Sequence, residues 1–71
     1  MEPIGYMDGV GALVRRRRKA LRVDQQTVAD LAGVSRKLVS DIERGKPTLR
    51  MDGLLAVLGA VGLTLEVVDA R

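Results

Sequence analysis

The stretch QQTVADLAGVSRKLVSDIER, residues 25–44, restricts the fold more than any other part of the chain. Its spacing predicts two short helices, about 25–32 and 36–44, broken at Gly33. Counted from Gln25, Val28 is fourth, Ala29 fifth, Ala32 eighth, Gly33 ninth, Val34 tenth, Val39 fifteenth and Ile42 eighteenth. Small Ala29 lets the helices cross closely. Gly33 suits a tight turn, where a positive φ is costly for other residues. Val28, Val34, Val39 and Ile42 form an apolar wedge that sets the inter-helix angle. Such a helix-turn-helix projects its second helix outward, where it can enter a DNA major groove.

Composition narrows the alternatives. Seventy-one residues make one small domain, and a chain of that length buries only roughly 60% of its unfolded surface. Cysteine and histidine are absent, which excludes a disulfide framework and a zinc finger. Tyr6 is the single aromatic residue, so a base-stacking single-strand platform is not expected. The core must come from Leu, Val and Ala. Nine of the twelve basic residues are arginine and the net charge is +3. That balance favours an anionic partner, and the planar guanidinium reads phosphate and base edges bidentately. No nucleophile–base arrangement and no cluster of metal ligands exists, so neither enzymatic activity nor a metal or cofactor is expected. No apolar stretch approaches the ~20 residues that span a bilayer. Glu2 lies where a signal peptide would be basic. The expected location is cytoplasmic, with the nucleoid.

Along the chain, residues 1–7 carry Pro3 and Gly5 and are expected to be a flexible segment. Asp8 can cap a first helix reaching 21 or 22, with Val10, Leu13, Val14 and Leu21 as its apolar stripe and Gly9 and Gly11 weakening its first turn. Asp24 and Ser35 are placed to cap the next two helices, and Gly45 to end the second with a left-handed cap. A fourth helix is expected over 51–61, with Met51, Leu54, Leu55 and Leu58 inward, stopped by Gly62. Residues 8–62 thus form the helical domain. Over 63–69 the period changes: Leu63, Leu65 and Val67 alternate with Thr64 and Glu66, the pattern of a strand with one apolar face. A lone strand leaves its backbone groups unpaired. The expected solution is pairing with the same strand of a second copy, through Leu63, Leu65 and Val67.

The outward residues of the motif are the candidate contacts. Arg36 and Lys37 open the second helix of the motif and suit guanine O6 and N7. Ser40 lies one turn further on the same face. Leu38 either touches a thymine methyl or covers the core edge. Gln25 opens the first helix of the motif, where its amide and nearby N–H groups suit a phosphate. Lys46, Thr48 and Arg50 are candidate backbone grips, with solvated charge the alternative for Lys46 and Arg50. The run Arg15–Lys19 points all round a helix and cannot form one patch. Within it Arg18 is read as structural, with Glu43 as its expected ion-pair partner.

Residues 14–45, VRRRRKALRVDQQTVADLAGVSRKLVSDIERG, resemble the Cro/repressor-type (XRE) helix-turn-helix, most clearly in RRKALRVDQ, LAGVS and SDIERG. The resemblance places Gln25, Ser35, Arg36, Lys37 and Ser40 on that family's DNA-contacting positions, and Arg18 and Glu43 on a frequent structural pair. GKPTLRMDGLLAVLGAVGLTLEVVDA resembles the tail of HipB-type antitoxins, whose last strand pairs across a dimer. Two positions depart from the family pattern. Asp24 replaces the usual Thr or Ser, and Arg22 replaces the usual glycine of the preceding turn. The resemblance implies an all-α, four-to-five-helix repressor-like DNA-binding domain with a short C-terminal β-strand pairing across a homodimer. It implies a repressor of a palindromic operator that also neutralises a HipA-like kinase toxin. The alternatives are a stand-alone repressor without a toxin, and a protein-interaction module that shows no sequence preference for duplexes.

Overall fold

The computed structural model describes residues 6–69 as four helices. They are α1 (Tyr6–Ala20), α2 (Gln25–Ala32), α3 (Arg36–Glu43) and α4 (Met51–Ala60). Helices this short are marginal alone and depend on packing. Val14 of α1, Val28 and Ala29 of α2, and Val39 and Ile42 of α3 meet Leu54, Val57, Leu58 and Val61 in one buried cluster. α3 lies between α1 and α2, and α4 closes the bundle against α2.

Side chains fix where α2 and α3 begin. The Asp24 carboxylate accepts from the Thr27 backbone N–H at 2.8 Å. The Ser35 hydroxyl oxygen accepts from the Leu38 N–H at 3.1 Å. Each satisfies one of the donors a helix start leaves orphaned.

All four helices end in the same way. Leu63 N–H bonds back to Leu58 O at 2.8 Å and Gly62 N–H to Gly59 O at 3.1 Å. That pair of bonds is a Schellman motif with a left-handed residue at its centre. The same two bonds, centred on Gly33 and Gly45, close α2 and α3. Gly33, Gly45 and Gly62 have φ of 70°, 79° and 80°. At the end of α1, Val23 N–H bonds to Arg18 O and Arg22 N–H to Lys19 O. There the left-handed residue is Arg22, at φ 60°.

Several expectations need correction. α1 begins at Tyr6, so Asp8 lies in its first turn instead of capping it. Residues 6 and 7 are therefore helical, and Met7 packs against the core. The rest of the expected flexible segment, 1–5, lies outside the described residues. Leu13 and Leu21 are exposed, and the buried face of α1 runs through Gly11 and Val14. Gly11 does not merely loosen a turn. A β-carbon there would lie 2.2 Å from Ile42 O and 3.0 Å from Glu43 O, so α1 crosses the end of α3 at a distance only glycine permits.

α4 is rotated from its expected register. Met51 and Leu55 are exposed, while Val57 and Val61 are buried beside Leu54 and Leu58. No β-strand forms among the described residues, and the expected strand over 63–69 has no hydrogen-bonded ladder. The physical reason is that no second extended segment among the described residues supplies partner groups. Leu63 packs at the edge of its own core, whereas Leu65, Val67 and Val68 are exposed.

Candidate nucleic-acid interface

The surface presented by α3 is built on an apolar face that locks it in place. Val39 and Ile42 are fully buried, and the opposite side carries Arg36 and Lys37 in solvent. Arg36 makes no hydrogen bond or ion pair among the described residues. Lys37 donates from Nζ to the Asp41 carboxylate at 2.9 Å, with 76% of its side chain still exposed. Ser40 is half-buried one turn along. Leu38 faces the other way: a β-carbon on Gly53 would lie 2.6 Å from its Cδ2. Leu38 therefore covers the core edge against α4.

Both ends of the motif are tied to its neighbours by one buried network. Arg18 donates from Nε to Glu43 Oε2 at 2.6 Å and from NH2 to Oε1 at 3.0 Å. The two side chains are only 12% and 4% exposed. Arg18 also donates to Val23 O at 3.0 Å, which fastens the α1–α2 turn. Gln25 donates its amide to Glu43 Oε1 at 3.2 Å. Its second amide hydrogen and the first backbone N–H groups of α2 remain for an external acceptor. Burial acts to raise the Glu43 carboxyl. The hydrogen bonds from Arg18 and Gln25 outweigh it and hold the group below its usual value.

A second cluster lies at the carboxyl end of α3, and its centre is a residue not singled out from sequence. Asp41 is only 5% exposed. It pairs with Lys37, with Arg44 and, at 3.7 Å, with Lys46. The hydrogen bond from Lys37 is the main cause that holds its carboxyl below the usual range. Three cations around one carboxylate leave a net charge of +2. Lys37 and Arg44 at i−4 and i+3 are the helical spacing that could have revealed this hub. The cluster presets long basic side chains that would otherwise sample many rotamers.

The remaining candidates lie in the connection from α3 to α4. Lys46, Thr48 and Arg50 are all exposed. Arg50 pairs with Asp52 at 3.1 Å, with both side chains mostly in solvent. The Ser35 oxygen is used by its cap, and its hydroxyl hydrogen is available outward. Gln25, Ser35, Arg36, Lys37 and Ser40 thus occupy the motif itself, while Lys46 joins the Asp41 cluster and Thr48 and Arg50 follow in the connection to α4. Among the described residues no group of acidic side chains is arranged to hold a metal ion. No helix among them is long and apolar enough to cross a membrane.

Comparison with known proteins agrees with this geometry. The family described as "Helix-turn-helix domain" matches residues 10–70. The "Uncharacterized HTH-type transcriptional regulator y4mF" of Sinorhizobium fredii is 38% identical over 58 residues, covering 82% of this chain and 76% of that protein.

Proposed function

The chain belongs to the helix-turn-helix domain family, and from that membership we propose that it is a sequence-specific DNA-binding transcriptional repressor. One observation carries the reading: Arg36 stands exposed and unpartnered, among the described residues, at the leading end of a helix whose other face is core. In this reading Arg36 and Lys37 meet guanine edges and Ser40 is a secondary base contact. Gln25, Ser35, Lys46, Thr48 and Arg50 grip phosphates. Lys37 exchanges its Asp41 partner for the duplex on docking. Affinity then falls steeply with salt, because each neutralised phosphate releases counterions. The test is titration of a selected duplex by fluorescence anisotropy. Arg36→Ala costs about 1–3 kcal/mol of discrimination, and Arg16→Ala leaves the base preference unchanged. An Arg36→Ala protein that keeps full discrimination rejects α3 as the reader.

The repressor acts as a homodimer through residues 63–69, with Leu63, Leu65 and Val67 at the contact. Supporting this is a run of exposed apolar side chains in the tail, Leu65, Val67 and Val68, together with Met51 and Leu55 of α4. A monomer has no evident use for such a set of apolar groups in water. Two-fold symmetry gives a palindromic operator with half-sites about one helical turn apart, or a multiple of it. Sedimentation at micromolar concentration tests the dimer. Leu65→Pro, which places a ring where a ladder donor is needed, shifts it to monomer.

The finer reading is an antitoxin that also holds a HipA-like kinase toxin inactive. It rests on the resemblance of residues 45–70 to HipB-type tails. The name of the 38% identical relative, a transcriptional regulator, fits this reading and the second one, a stand-alone repressor, equally. Pull-down with the neighbouring gene product tagged separates the two: capture of a kinase-like partner supports the antitoxin.

A further inference from the structure

Four helices end in one motif, and the left-handed position is glycine in three of them. The fourth is Arg22, at φ 60°. A β-carbon is strained there, which is why glycine dominates this position. The fold gains nothing visible in return. The Arg22 side chain is exposed and makes no hydrogen bond or ion pair among the described residues. Strain held without a packing reason points to work done outside the fold.

The surroundings identify that work. Arg22 lies two residues before the Asp24 cap and three before Gln25, which opens α2. The turn is rigidly mounted: Val23 O accepts from Arg18, which is clamped in turn to Glu43 of α3. The backbone that carries Arg22 is therefore held in place relative to α3, and its long side chain reaches into solvent from a fixed root. The first helix of such a motif crosses the DNA backbone when the second enters the groove. Asp24 puts a negative charge at that same edge, its carboxylate occupied by Thr27. The cation whose charge acts on Asp24 is Arg18, which is already spent on Glu43, so Arg22 is a cation this turn has to spare for phosphate.

We infer that the Arg22 guanidinium is a DNA-backbone contact, anchoring the strand that passes the amino end of α2. This rests on the DNA-binding reading above and adds to it a residue where a glycine would fold better. The contact is to phosphate, so it raises affinity for every duplex alike and does not choose sequence.

Arg22→Gly tests it because stability and binding must move in opposite directions. Thermal unfolding should show a Tm a few degrees above wild type. Titration of the selected duplex by anisotropy, across a salt series, should show affinity about tenfold lower. The slope of log affinity against log salt should become shallower by about 0.9. Base preference should not change. Arg22→Lys should keep the wild-type slope. Wild-type affinity and slope in Arg22→Gly would overturn the inference, as would an unchanged or lower Tm. A wild-type chain that binds no duplex overturns this inference and the DNA-binding reading together; binding lost in Arg36→Ala but intact in Arg22→Gly overturns this one alone.

Discussion

Gly9 and Gly11 lie two residues apart on one helix, and alanine should act on them with opposite sign. In a helix interior alanine is favoured over glycine by about 0.5–1 kcal/mol. At Gly9 nothing lies within 4 Å of an added β-carbon, so that gain is realised in full. At Gly11 the β-carbon would meet Ile42 O at 2.2 Å and Glu43 O at 3.0 Å. Carbon and oxygen rest no closer than about 3.3 Å, so α1 must recede from α3 by about 1 Å. The obstruction is backbone and cannot rotate away. Overpacking of this kind costs about 1–3 kcal/mol, with the upper end apt here. After the propensity gain, Gly11→Ala loses about 2 kcal/mol, a fall of about 10 °C in Tm at this size. Gly9→Ala gains a few degrees. The assay is thermal unfolding followed by circular dichroism at 222 nm, with urea titration as a check on ΔG. Because the clash falls beside Glu43, Gly11→Ala should also loosen the Arg18 clamp and weaken duplex binding. Equal Tm shifts in the two variants would refute the close crossing of α1 and α3.

The other predictions concern the clamp and the caps. Arg18→Ala strands a buried carboxylate and should cost about 3 kcal/mol in urea denaturation, whereas Arg16→Ala on the exposed side of α1 should change little. Glu43 titrates below its usual 4.5 in the folded chain, so its contribution is complete above that value. It is lost as pH falls through the lower folded value. Asp24, Asp41 and Asp52 are shifted in the same direction, so acid destabilisation is shared. Glu43→Gln should make the fall of Tm below about pH 4.5 shallower without abolishing it. Ser35→Ala removes the cap acceptor for Leu38 N–H and should cost about 1 kcal/mol. Asp41→Asn frees Lys37, Arg44 and Lys46 from their shared carboxylate. It should raise affinity for non-specific duplex, measured by anisotropy, more than affinity for the selected site.

What could be read from sequence was local. Asp24, Ser35, Gly33 and Gly45 mark their helix ends through chemistry that acts within a few residues. Those ends delimit the motif, and the buried Val28, Ala29, Val39 and Ile42 follow from helical spacing. The register of α4 was not legible because residues 51–61 are apolar nearly all round, so periodicity cannot choose a face. Gly11 was misread for a related reason: the carbonyl it avoids belongs to a residue 31 positions later. The turn after α1 was legible through the family resemblance alone, because arginine stands at 22 where a glycine would signal it locally. The alternation of residues 63–69 is plain in the sequence, but a ladder is a property of two segments. The described residues do not supply the second. Arg36 and Lys37 were legible as outward residues, since the wedge that buries Val39 and Ile42 also dictates what faces water. The Asp41 hub was legible in part: Lys37 and Arg44 stand at helical spacing from it, and only the reach of Lys46 needed coordinates.

In the proposed binding mode α3 reads bases through Arg36. The deciding experiment is selection from a random duplex library with the wild-type chain and Arg36→Ala in parallel. The wild type should enrich a two-fold symmetric site with a guanine fixed in each half. Arg36→Ala should lose that guanine and keep the spacing. Recovery of the same site by both proteins, or enrichment of nothing by the wild type, would contradict it.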